Sequence, residues 1–291
     1  MADPQAGYFK TAGGSSLYAV YHDTPGKKKP VVLAGPLFEE RKSAYRFLRT
    51  LAERLAAAGH PCLRFDYRGS GESGGSAARR RWAHLHEDLA SARTLLSQLS
   101  GQPDCALLGL RLGATLALQA VFQQPSPVVA LAPVIRGETQ VRQWKLRSKI
   151  RAELTVAPVG TDTNLRSKLA VCPDLADLSK LAAGPASSLQ KSRQDACATT
   201  IDFDGYQVAS AFFDDVSALD LRKKALPLSQ RGWLVQISHR EQADAEHREL
   251  LANLGLNARL EVLRLEPFWD KVDETETGPL EELALAALGS L

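Results

Sequence analysis

One short segment limits the folds open to this 291-residue chain more than any other. Leu107-Leu108-Gly109-Leu110-Arg111-Leu112-Gly113-Ala114 joins an apolar, strand-like run (105–110) to an amphipathic, helix-like run (112–122) with only a tight turn between them. A strand that turns straight into a helix needs small residues on both sides of the turn, because the two backbones approach closely. Gly109 and Gly113 supply them, and the turn presents Arg111 at the edge of a sheet. Two glycines four residues apart are a weak signal alone. Between a buried strand and an amphipathic helix the signal is strong.

The rest of the chain supports a sheet around that turn. Residues 8–11 and 17–22 read as two opening strands joined by a Gly13-Gly14 turn, and 30–34 (P-V-V-L-A) as a short apolar strand. A helix follows with Ala44, Leu48, Leu51 and Leu55 on one face, closed by Gly59. Residues 61–67 form the next strand, and a glycine-rich loop leads to a helix with Trp82, Leu85, Leu89, Ala92, Leu96 and Leu99 on its core face. After the turn and its helix, 128–134 is another strand. Regularity then lapses over 136–219, which holds a basic helix (141–154) and Gly/Ser/Thr-rich connections. It resumes with strands at 232–238 and 259–266, a helix over 241–254 between them, and a last helix at 279–288. Alternating strands and helices predict an α/β chain, a mostly parallel sheet with helices on both faces. The long irregular excursion predicts an inserted cap. The expected organisation is a first core part at 1–135, a cap at 136–219 and a second core part at 220–291.

Composition excludes several classes. Hydrophobic residues at 44% and charged residues at 24% suit a soluble globular protein, and a net charge of +3 is too small for a nucleic-acid footprint. Lys27–Lys29 and Arg79–Arg81, the tightest basic runs, are expected to solvate a loop or a helix start. Cys62, Cys105, Cys172 and Cys197 show no CxxC spacing, so no disulfide framework, metal site or cofactor is expected. Cys62 and Cys105 read as small core hydrophobes. No apolar run approaches the ~20 residues of a membrane span, and the N-terminal residues lack a signal-peptide pattern. A reducing, bacterial-type cytoplasm is the expected compartment.

The turn matches G-x-S-x-G enzymes in everything except its central residue. A guanidinium stays protonated and cannot act as a nucleophile. In such enzymes the chain order is nucleophile, acid, histidine. Six histidines are present (His22, His60, His84, His86, His239 and His247), and none follows the last strand, where the chain reads Glu266-Pro267-Phe268-Trp269-Asp270. His239 reads as a surface histidine, and the acid candidates Glu241 and Asp244 have no imidazole to orient. Backbone donors survive any side-chain change, so the N–H of Leu112 and that of Leu37 or Phe38 remain candidates for an oxyanion hole.

These residues resemble the α/β-hydrolase superfamily and, more narrowly, the exosortase A system-associated hydrolases of the second type. The resemblance rests on four segments: Gly35-Pro36-Leu37-Phe38-Glu39-Glu40-Arg41, Asp66-Tyr67-Arg68-Gly69-Ser70-Gly71-Glu72-Ser73, Gly109-Leu110-Arg111-Leu112-Gly113-Ala114 and Glu266-Pro267-Phe268-Trp269. Asp204-Gly205-Tyr206-Gln207-Val208 adds to it. It implies an α/β-hydrolase fold and a bacterial protein encoded among exopolysaccharide and protein-sorting genes, with the name of hydrolase but no substrate.

Three readings follow. The first is a catalytically silent fold that binds a small anionic or carbonyl-containing ligand through Arg111, Leu112, Leu37, Phe38, Glu39, Glu40 and Trp269. Arg111 is then expected to pair with Glu39 or Glu40 beside a pocket walled by Phe38, Leu112 and Trp269. The second is an active hydrolase built from Ser70 or Ser73 with Asp66 or His84; loop and capping roles suit both serines better. The third is an interaction module using Arg142, Lys145, Arg147, Lys149 and Arg151, interleaved with Trp144, Leu146 and Ile150. A solvated lid face suits that run better.

Overall fold

A computed structural model describes residues 3–155, 200–203, 205–223, 227–270 and 276–291. The chain enters through β1 (Gln5–Lys10) and β2 (Ser16–His22). It then alternates through β3 (Val31–Ala34), α1 (Phe38–Ala57), β4 (Cys62–Phe65), α2 (Trp82–Ser100), β5 (Ala106–Leu110), α3 (Leu112–Gln123) and β6 (Val128–Leu131). An insertion follows, with α4 (Gly137–Thr155), the hairpin strands β7 (Thr200–Phe203) and β8 (Tyr206–Ala209), and α5 (Ser210–Ser217). β9 (Gly232–Ser238), α6 (Ala245–Leu254), β10 (Ala258–Arg264) and α7 (Gly278–Gly289) complete the described strands and α-helices.

Eight strands form one sheet in the order β1-β2-β4-β3-β5-β6-β9-β10. β2 runs antiparallel to β1 and β4, and every later pair is parallel. The central strands V-V-L-A, A-L-L-G-L and V-V-A-L are buried along their whole length, as parallel strands covered on both faces must be. One face packs against α1 and α7 through Phe47, Leu51, Leu55, Leu280 and Ala284. The other packs against α2, α3 and the insertion through Leu85, Leu89, Leu116, Phe212 and Val216. At the open edge, β10 alternates inward and exposed residues, and the charged Arg259, Glu261 and Arg264 guard it against further pairing.

Sequence and structure differ most in two places. α1 begins at Phe38, well before the first apolar residue of its expected face, because its opening turn (F-E-E-R) carries its apolar group on one residue only. The Arg79–Arg81 run is not simply solvated. Arg80 is 1% exposed, with its guanidinium on the Arg68 carbonyl (2.8 Å) and Ser70 Oγ (2.6 Å), close to the rings of Phe38 and Phe212. Burial lowers its pKa to about 10, so it keeps its proton. Arg81 caps α2 and forks onto Asp215 of α5 (2.7 and 2.8 Å). Cys62 and Cys105 are free and buried, as expected. Cys172, Cys197, Asp204 and the side chains of Ile150 and Arg151 lie outside the described residues. Among the described residues, no helix is long and apolar enough to cross a membrane.

Candidate functional site

β5 delivers the chain to Arg111, and α3 starts at the next residue. Arg111 has φ 57° and ψ −122°, a conformation that costs a side-chain-bearing residue roughly 1–3 kcal/mol. The turn is held by Arg111 N donating to the Leu131 carbonyl (3.0 Å) and by the Arg111 carbonyl accepting from Ala114 N (3.0 Å) and Thr115 N (3.1 Å). The flanking glycines are obligatory. A Cβ on Gly113 would collide with the carbonyls of Ala34 and Gly35, and one on Gly109 with the backbone of Ala114. The only other non-glycine residues at positive φ among those described are Phe38 (φ 55°) and Ala132 (φ 43°). They follow β3 and β6, the two strands beside β5, so these three strained residues gather at the carboxyl ends of the central strands.

The Arg111 side chain is enclosed. Its Nε donates to Glu40 Oε2 (3.3 Å), Nη1 to the Ala132 carbonyl (3.2 Å) and Nη2 to Gln140 Oε1 (2.7 Å). Gln140 Nε2 donates in turn to Glu40 Oε1 (2.9 Å), which closes a ring of three side chains. The Trp269 ring covers the guanidinium, 4.8 Å from its carbon. Arg111 is 13% and Glu40 3% exposed at the side chain. The expected pairing is therefore made, with Glu40. Glu39 turns outward, and its carboxylate accepts from Lys42 (2.7 Å). A buried cation needs such partners. The ring and the Ala132 carbonyl together use three of the guanidinium's five N–H groups, leaving one on each terminal nitrogen.

Leu37, Phe38, Leu112 and Trp269 are covered, at 1%, 4%, 2% and 5% exposure. Those expected to wall an open pocket are instead packed. Phe38 sits among Trp144, Phe203, Tyr206, Phe212 and Phe213 of the insertion, at ring distances of 5.0–6.4 Å. Aromatic surface that a cap could have left open is thus used to seat the insertion on the core. The N–H groups of Leu112 and Phe38 open α3 and α1, where no intrahelical acceptor exists.

Most of the other candidates are bonded within the scaffold. After β9, His239 is exposed and Glu241 pairs with Arg264 (3.0 Å) at the surface. Asp244 caps α6 through the N–H of His247 (2.9 Å) and also bonds its Nδ1 (2.8 Å). Phe268-Trp269-Asp270 forms a 3-10 turn after β10 that brings Trp269 onto Arg111. Ser73 Oγ donates to the Asp66 carbonyl (2.5 Å) and accepts from Tyr18 N (2.8 Å), and Ser70 Oγ accepts from Arg80. Asp66 pairs with Arg41 (3.3 Å), and His84 accepts from the Arg81 N–H in a capping box. Of the basic run on α4, Arg147 forks onto Asp270 (2.5 and 2.6 Å), Trp144 is buried and Leu146 is exposed. Gln140 and the Ala132 carbonyl are the members of this network that sequence reasoning missed. A glutamine early in a polar helix carries no sequence signal for a bond to the elbow.

The family described as Hydrolase_4, serine aminopeptidase S33, matches residues 41–171. The mitochondrial palmitoyl-protein thioesterases ABHD10 of Homo sapiens and Pongo abelii are 34% identical over 84 residues, 29% of this chain. The matched stretch spans only 26% of their length. Among solved structures, the esterase Pf2001 of Pyrococcus furiosus is similar over 99% of this chain and 90% of its own, with a TM-score of 0.63 and 16% identity. Est1E of Butyrivibrio proteoclasticus, with ferulic acid bound, covers 97% and 96% (TM-score 0.59, 14% identity). Alpha/beta hydrolase domain-containing protein 10 from mouse covers 98% and 97% (TM-score 0.52, 13% identity). Strand order, elbow and structural neighbours together make this chain an α/β-hydrolase-fold protein.

Proposed function

We propose that this chain is a catalytically silent member of its fold, a binding or accessory protein rather than an ester hydrolase. The observation that carries the reading is Arg111. The strained elbow is kept, but its side chain is a protonated guanidinium locked onto Glu40, Gln140 and Trp269. No group there can form an acyl intermediate, and Trp269 occupies the place of the general base. The two spare guanidinium N–H groups and the N–H at the start of α3 suit a small anionic or carbonyl-containing ligand. Residues 136–219 act as the cap over that site in this reading, and Gln140 holds the position such a ligand would take. The resemblance to exosortase-associated hydrolases supports a role beside exopolysaccharide and protein-sorting loci.

A second reading, hydrolysis through a non-standard constellation, draws on the retained backbone donors and on the esterase and thioesterase activities that the names of similar proteins give. One experiment separates the two. Nitrophenyl acetate and butyrate are offered to the wild type, to Arg111→Ser and to Arg111→Ser with Trp269→His, with a serine-reactive fluorophosphonate probe in parallel. Silence predicts background rates and no labelling for the wild type, and no rescue by Arg111→Ser alone, since general-base assistance contributes ~10²–10⁴-fold. Robust wild-type turnover or labelling would refute silence.

A further inference from the structure

On the α1 side of the sheet, a slot opens between α1 and the strands β2, β3 and β4. Its volume is about 40 Å³, room for roughly three water-sized groups. Val20, Leu33 and Leu48 give it apolar walls, and Gly35-Pro36 line it as well. Tyr45, half exposed, also lines it. Three charged groups share the lining: Arg41, Arg64 and Asp66. Residues 35, 36 and 41 of one singled-out segment and 66 of another therefore meet here, and the elbow network uses none of them.

The charged groups of the lining do not all pair. Arg41 and Asp66 pair with each other, Nε 3.3 Å from Oδ1, yet the buried Arg41 Nε–H makes no hydrogen bond. Arg64 lies against the Tyr45 ring (5.3 Å) and donates from Nε to His22 Nε2 (3.4 Å). His22 is neutral, its pKa lowered to about 4 by burial and by Arg64 itself. Among the described residues no carboxylate lies within ion-pair distance of Arg64. Two guanidiniums and one carboxylate thus line the slot, the Glu72 carboxylate acts on Asp66 from nearby, and Arg64 is the guanidinium without an ion-pair partner. The arrangement is also braced. The Glu72 N–H donates to Asp66 Oδ2 (3.1 Å), and Gly71 (φ 53°) passes so close that a Cβ would collide with Arg41 Nη2 and Asp66 Oδ2.

We propose that this slot binds a small organic carboxylate with a short alkyl chain. The guanidinium of Arg64 offers its terminal N–H groups to the planar carboxylate, and the fork geometry favours that shape. Val20, Leu33 and Leu48 shelter the chain. A monoanion supplies the partner that Arg64 lacks. A phosphate dianion would meet the Asp66 carboxylate with a charge the site does not offset. The limited volume excludes long acyl chains.

The test is calorimetric titration of the full chain with sodium acetate, propionate, butyrate and inorganic phosphate at constant ionic strength. Propionate or butyrate should bind saturably, and phosphate at least tenfold more weakly. Arg64→Met should weaken carboxylate binding at least tenfold, and Leu48→Trp, which fills the slot, should abolish it. Each variant is first checked for wild-type thermal unfolding. If Arg64→Met does not fold, Leu48→Trp decides. No saturable carboxylate binding, binding that survives the substitutions, or phosphate binding as tight as butyrate overturns the proposal. The slot lacks Arg111, so this titration and the ester assay fail independently.

Discussion

Replacing Arg111 by alanine tests the elbow network most directly. The substitution removes the ion pair to Glu40, the bonds to Ala132 and Gln140, and the contact with Trp269. It strands a carboxylate that is 3% exposed, with Gln140 Nε2 as its remaining side-chain donor. Removing one member of a buried pair costs about 3–5 kcal/mol, because the charge left behind is uncompensated. Arg111→Gly loses the same partners but relieves the positive φ of residue 111, so it should lie about 1 kcal/mol above Arg111→Ala. Arg111→Met with Glu40→Gln removes both charges and keeps an amide facing Gln140, so it should recover more than half of the loss. Urea unfolding at pH 7 measures all four proteins, and the alanine variant should also melt roughly 10 °C lower. If Arg111→Ala stays within about 1 kcal/mol of the wild type, the pair does not stabilise the fold. If alanine and glycine are equal, residue 111 does not carry the strain assigned to it.

Three further outcomes are expected. His22 has a folded pKa of about 4, below its unfolded value, so the unfolded chain takes up the proton first as pH falls. Its contribution is complete above pH ~6.5 and is lost toward pH 4, at most about 3 kcal/mol, and His22→Leu should flatten the stability profile over that window. Gly71→Ala should cost about 2 kcal/mol or more in denaturant stability, since it adds both a collision and strain at φ 53°. The Arg81–Asp215 and Arg147–Asp270 forks are partly exposed, so double-mutant cycles should give couplings below about 1 kcal/mol that shrink at high salt.

The fold was legible where burial imposes a simple pattern. V-V-L-A and V-V-A-L have no polar face, which suits only strands covered on both sides. The elbow was legible because its glycines answer to local collisions, Gly109 with Ala114 and Gly113 with Ala34 and Gly35. The pairing of Arg111 with one of two acids followed from charge alone, but which acid did not. Glu39 and Glu40 differ only in the direction the first turn of α1 gives each side chain. The fate of Arg80 was hidden for a related reason. Its acceptors lie at Arg68 and Ser70, and one of the rings beside it, Phe212, comes from the insertion. Periodicity sees neighbours along an element, whereas Gln140 reaches Glu40 across a hundred residues.

The seam between β6 and β9 governs how this sheet is assembled. Val128 pairs with Gly232 and Leu131 with Val235, so two adjacent strands are separated by about 100 residues of chain. Closing so long a loop costs little more at equilibrium than closing half of it, about 0.6 kcal/mol per doubling, which makes this junction a cheap place for extra chain to reside. Kinetically the same distance is costly, because contacts remote in sequence form late and slow the search. β1 through β6 can pair before β9 arrives, which leaves the edge of β6 exposed until β9 docks and brings β10 with it. Molecules halted at that stage would present the apolar edge V-V-A-L to one another. Shortening the segment between β6 and β9 should therefore shorten the time for which that edge stays open during refolding.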